Sequence, residues 1–140
     1  MKSQKIVVDT SVIVKWLATD NELYVNKAQQ LLKDAIKGKI TLLAPSLARY
    51  ELGNSIVKRK MELPFAFDAL ATSYKAPVNF INETEDLALL TYRIAHEYGI
   101  TYYDASFIAL AREEGDVLIT DNPKHQAKIK EVKVVALKDY

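Results

Sequence analysis

Cysteine is absent from the 140 residues, so the chain can build no disulfide, no thiolate nucleophile and no thiolate metal site. Only two histidines occur, His96 and His125, too few for a His-rich zinc centre or a paired-histidine nuclease. Four glycines in total leave no room for a P-loop or a G-x-G-x-x-G fingerprint, and no G-x-S-x-G elbow is present. No apolar run approaches the length of a membrane span. The opening Met1-Lys2-Ser3-Gln4-Lys5 leads straight into a strand pattern, without the apolar region of a secretory signal. A cytoplasmic protein with no membrane association is expected. Charge of one sign is lacking as well, and a formal net charge of +1 makes no case for a nucleic-acid partner by itself.

What is present is a globular composition, 49% hydrophobic, on a length that suits one domain over residues 1–140. Ile6-Val7-Val8 reads as a buried strand that stops at Asp9-Thr10-Ser11, with helical spacing behind it. Amphipathic spacing predicts a helix over 22–37 ended by Gly38, and a second strand over 40–44 closed by Pro45. Helices follow over 46–60 and 65–73, then an extended piece over 77–81 and a helix over 82–98 stopped by Gly99. The segment 105–111 is apolar nearly all round and should be a buried helix. A strand over 117–120, a short basic helix over 124–130 and a last strand over 133–137 complete the pattern. Alternating strands and helices predict an α/β fold, a parallel β-sheet of four or five strands flanked by helices on both faces.

Acids gather on that frame. Asp9 and Asp121 end strands, Asp104 opens the buried helix, and Glu51 lies six residues past Pro45, about 9 Å along its helix axis. Glu51 reaches the others only if that helix crosses the carboxyl edge of the sheet, where open α/β folds bind ligands. Each acid also has a plain reading: Asp9 and Asp104 as helix caps, Asp121 as a turn residue, Glu51 as a solvated helix residue. Together they would repel one another unless a cation sat among them, and an all-carboxylate set suits Mg²⁺ or Mn²⁺ with waters completing the shell. Such an ion lowers the pKa of bound water, which makes phosphodiester hydrolysis the natural reaction. A haloacid-dehalogenase-type site is disfavoured because Ser11 stands where its second Asp belongs, and a receiver domain because its acidic pair is missing.

With these residues quoted, the chain resembles a PIN-domain ribonuclease of the kind found as VapC toxins, over essentially its whole length. Val7-Val8-Asp9-Thr10-Ser11-Val12-Ile13 is similar to the family's opening motif, and Ala44-Pro45-Ser46-Leu47 leading to Glu51-Leu52 to its second. The segment from Tyr103-Asp104-Ala105-Ser106 to Ala111 is the most specific match, and Leu118-Ile119-Thr120-Asp121-Asn122 resembles the fourth. The resemblance implies Mg²⁺- or Mn²⁺-dependent cleavage of RNA, leaving 5′-phosphate and 3′-hydroxyl ends. It implies Asp9, Glu51 and Asp104 as metal ligands, direct or through water, with Asp121 as the fourth and Asn122 as the alternative. Thr10, Ser11 and Thr120 would orient water or support the ligands, with helix capping an equal alternative for the first two. Arg49, Lys15 and the run Lys58-Arg59-Lys60 would hold phosphates or face solvent. The resemblance further implies a homodimer silenced by a small VapB-like antitoxin, for which Trp16, Leu63, Phe65 and Phe67 would supply surface or else core. A housekeeping RNA-processing nuclease and a non-cleaving PIN binding module are the alternatives.

Overall fold

The structure, a computed structural model, describes residues 3–18, 22–124, 126 and 128–140. Five strands form one all-parallel sheet: β1 (Gln4–Val8), β2 (Ile40–Pro45), β3 (Val78–Ile81), β4 (Val117–Thr120) and β5 (Val134–Ala136), in the order β3-β2-β1-β4-β5. Six α-helices flank it: α1 (Thr10–Ile13), α2 (Val25–Ile36), α3 (Leu47–Lys58), α4 (Leu63–Ser73), α5 (Glu85–Tyr98) and α6 (Tyr102–Glu114). The central strand earns its place by composition. Ile6, Val7 and Val8 are fully buried, as a parallel strand covered on both faces requires.

Register then fixes which strand ends meet. Val7 faces Leu43 of β2 and Leu118 of β4, and Val8 faces Ile119. The Asp9 N–H donates to the Ile119 carbonyl at 3.0 Å, so the ladder runs to the last residue before the turn. The chain leaves β1 toward β2 and β3 on one side and returns to β4 and β5 on the other. The strand order therefore reverses between β1 and β4, and a crevice opens at their carboxyl ends.

Helix α6 is the buried helix that its composition predicts: Ala105 and Phe107 to Ala111 are all in the core. Gly99, at φ 64°, ends α5 in the left-handed conformation that glycine adopts without strain. Gly115 serves a different purpose, since a Cβ there would lie 3.0 Å from the Val7 side chain and 3.1 Å from the Ala111 backbone. Its bare backbone lets the end of α6 close onto β1.

Two expectations fall differently. The described residues of 124–130 form turns rather than a basic helix, although Gln126 and Ile129 are buried there. The break expected at Thr19-Asp20-Asn21, like His125, lies outside the described residues. The second helix begins at Val25, three residues later than its spacing suggests, because Tyr24 takes a left-handed turn (φ 59°) immediately before it.

Candidate active site

Asp9 is the N-terminal cap residue of α1 by position, yet its carboxylate makes no capping hydrogen bond. It accepts instead from the Thr120 hydroxyl at 2.8 Å, across the crevice between β1 and β4. The Thr10 hydroxyl, one residue on, donates to Glu51 Oε1 at 2.8 Å. Helix α3 thus does run past the carboxyl edge of the sheet and carries Glu51 beside α1. At the start of α6 the cap is Thr101, whose hydroxyl accepts from the Asp104 N–H at 3.0 Å. Capping by Thr101 leaves the Asp104 carboxylate free of that duty.

These three acids share one field. Burial raises the Asp9 carboxyl above its ordinary range and the Asp104 charge adds to the rise, while the Thr120 hydroxyl and the Thr10 and Ser11 N–H dipoles oppose it. Glu51 is also raised, first by burial and then by Asp9 and Asp104, against the Thr10 hydrogen bond. Among the described residues no lysine or arginine pairs with Asp9, Glu51 or Asp104. Half-buried carboxylates without a counter-charge are what a bound cation relieves.

Asp121 has a different neighbour. Its carboxylate lies 3.2 Å from the Lys15 ammonium, which also donates to Glu22 at 2.8 Å and to the Leu23 carbonyl at 2.7 Å. Lys15 is 1% exposed, so it neither faces solvent nor reaches out to a phosphate. The correction has a physical reason: the 3-10 turn Val14–Trp16 swings Lys15 inward, and two carboxylates and a carbonyl spend its three protons. Burial alone would lower its pKa, but Glu22 and Asp121 raise it, keeping the ammonium charged. Arg59 is spent too, pairing with Glu22, so of the run 58–60 only Lys58 and Lys60 remain exposed. Ser11 accepts from the Asp121 N–H at 3.2 Å, and Thr120 accepts from the Asn122 N–H at 3.2 Å. The supporting hydroxyls therefore brace carboxylates and the turn after β4, and none of them makes a side-chain cap on α1.

Arg49 lies on α3 with its guanidinium between the rings of Tyr74 and Phe80. His96 is exposed on α5 and stacks on Tyr92. Trp16 is half-buried, its indole N–H donating to the Ala28 carbonyl at 2.7 Å, whereas Leu63, Phe65 and Phe67 are exposed.

The donor set suits a hard cation: Asp9, Glu51 and Asp104 offer only oxygen. Among the described residues no three acids stand close enough to enclose an ion unaided. An ion held there would keep several waters, as Mg²⁺ does.

A family model for the PIN domain matches residues 6–132, from β1 to just before β5, and spans all four acids. The chain belongs to the PIN-domain family. PIN domains are nucleases, and they generally use divalent metals. Solved structures of the same fold include PAE2754 from Pyrobaculum aerophilum, 25% identical, covering 99% of this chain and 92% of that one at a TM-score of 0.66. VapBC2 from Rickettsia felis, bound to a DNA fragment from its promoter, is 16% identical over 95% and 98% of the two chains at 0.68. VapC20 from Mycobacterium tuberculosis, a toxin that cleaves the sarcin-ricin loop, is 18% identical over 91% and 98% at 0.67. No curated protein matches the chain. The PIN domain contains no helix, among its described residues, long and apolar enough to cross a membrane.

Proposed function

We propose that this PIN domain is a Mg²⁺- or Mn²⁺-dependent ribonuclease, the toxin of a VapBC-type pair. The observation that carries the reading is the uncompensated trio of Asp9, Glu51 and Asp104 at the switch point of the sheet. Asp9, Glu51 and Asp104 would hold a divalent ion, in part through water, and the ion would supply a more acidic water and positive charge to offset the scissile phosphate. Thr120 and Thr10 fix the orientation of Asp9 and Glu51, so that these two do not have to reorganise when substrate arrives. Asp121, tied to Lys15, stands at the edge of the group and helps set the turn that carries Asn122.

The VapBC relatives support a VapB-like antitoxin as partner, and the exposed Leu63, Phe65 and Phe67 on α4 suit an apolar segment of such a protein or a second copy of this chain. The decisive experiment incubates purified protein with defined RNAs, with Mn²⁺ and with EDTA, and maps the ends of the products. Cleavage that needs the ion and disappears in Asp104→Asn is expected. Undiminished cleavage in EDTA would falsify the reading. Growth arrest on expression of the chain alone, relieved by a co-expressed antitoxin, separates the toxin from a housekeeping nuclease. Light scattering after size exclusion reports whether it is a dimer.

A further inference from the structure

Arg49 is held in an unusual way for a surface helix. Its guanidinium lies 3.9 Å from the centroids of both Tyr74 and Phe80, one ring from the end of α4 and the other from β3. A flat ion between two aromatic faces is fixed in orientation. No carboxylate among the described residues pairs with it, and its Nη1 is buried without a hydrogen-bond partner. The residue as a whole is only partly buried, so its other N–H groups remain available to an incoming anion.

The same guanidinium lines a cleft of about 610 Å³ with Tyr50, Asn79 and Asn82. Tyr50 is 80% exposed, a ring face offered to solvent. Side-chain amides both donate and accept, which suits the edge of a base. A fixed cation, a free ring and amides in one cleft match the chemistry of single-stranded nucleic acid: backbone charge on the cation, base on the ring. Tyr50 and Ser46 also line a neighbouring cavity of about 250 Å³, which Tyr103 and Ser106 at the start of α6 line as well.

We propose that the Arg49 cleft is a nucleotide subsite, which seats one nucleotide of single-stranded RNA away from the bond being cut, its phosphate on Arg49 and its base on Tyr50. The proposal rests on the ribonuclease reading and adds a determinant of substrate position to it.

The test measures binding of a labelled single-stranded RNA of about ten nucleotides in EDTA, where no cleavage occurs. Arg49→Met and Tyr50→Ala should each weaken binding by about tenfold. Only Arg49→Met should also make the slope of log K against log salt shallower, by about 0.7. Thermal unfolding of both variants guards against a packing effect, and Tyr50→Ala removes an exposed ring that the fold does not need. With Mn²⁺, the loss of cleavage in either variant should be larger for this RNA than for a trinucleotide. Unchanged affinity and slope in both variants overturn the subsite. So does a variant that loses binding to polyglutamate while keeping RNA affinity, since the cleft would then be a docking site for acidic protein. If the unaltered protein cuts no RNA yet binds it in an Arg49-dependent way, the nuclease reading fails and the subsite stands.

Discussion

Asp9 and Asp121 end adjacent strands and lie on the same edge of one sheet, yet their surroundings are opposite in kind. Asp9 faces two other carboxylates and a hydroxyl, with no cation within reach among the described residues. Asp121 faces a buried ammonium that also holds Glu22, which in turn holds Arg59. Burial raises Asp9, and the Asp104 charge adds to the rise. In the second group the same burial is overcome, and Glu22 is held below its ordinary value by Lys15 and Arg59. Position at the sheet edge therefore does not decide an acid's electrostatic surroundings; the charge that the fold does or does not supply beside it does.

The comparison breaks most visibly at the trio. Asp9→Asn or Asp104→Asn should lower RNA cleavage by about three orders of magnitude, the scale expected when a fixed charge is lost from a preorganised site. Asp9→Asn should at the same time raise the Tm of the metal-free protein by roughly 3 °C, because it removes a buried charge that nothing balances. A fall in Tm would mean that Asp9 is structural. The second group should respond in the other direction. Lys15→Met strips two carboxylates of their shared cation and should destabilise the fold by about 3 kcal/mol in chemical unfolding, with Asp121→Asn in the same chain recovering part of the loss.

A subtler change separates brace from ligand. Thr120→Val removes the hydroxyl that aims Asp9 while leaving the trio's charge, and should weaken Mn²⁺ binding about tenfold in calorimetry without abolishing cleavage. The smallest effect is that of pH on the metal-free protein. Asp9 and Glu51 are raised above their ordinary 3.8 and 4.5, so the stability linked to their protonation is complete below those values and is lost as pH rises through the raised ones. Glu22 is depressed, so its contribution is whole above 4.5 and is lost only as pH falls through the lower value. As pH falls through the raised values of Asp9 and Glu51 toward their ordinary ones, these two acids should thus make the metal-free protein slightly more stable, and Asp9→Asn with Glu51→Gln should abolish the trend.

Much of the trio was legible in the chain because strand ends and helix starts are marked locally. The β-branched run stops at Asp9, and Thr101 and Asp104 open an apolar helix. Glu51 was harder, since its spacing from Pro45 says only how far along α3 it lies. The Thr10 contact, made across 41 residues of sequence, is what ties it to the site. Lys15 could not be read correctly at all. In Val14-Lys15-Trp16-Leu17 a lysine among apolar residues looks like the wet side of a helix, and its burial depends on a 3-10 turn and on Glu22 and Leu23 returning from the next segment. The Arg49 sandwich was equally hidden, because its two rings come from different elements. The basic stretch after Pro123 misled in the opposite sense: its charges suggested a surface helix, but Gln126 and Ile129 anchor turns instead.

Lys15 carries one more consequence. By tying the segment after α1 to the end of β4 with its own positive charge, the chain completes that corner of the sheet from covalently attached parts. An ion at the proposed site would then be free to arrive late, leave, or be exchanged for another without the scaffold coming apart, the reverse of a zinc finger, whose shape waits for its metal.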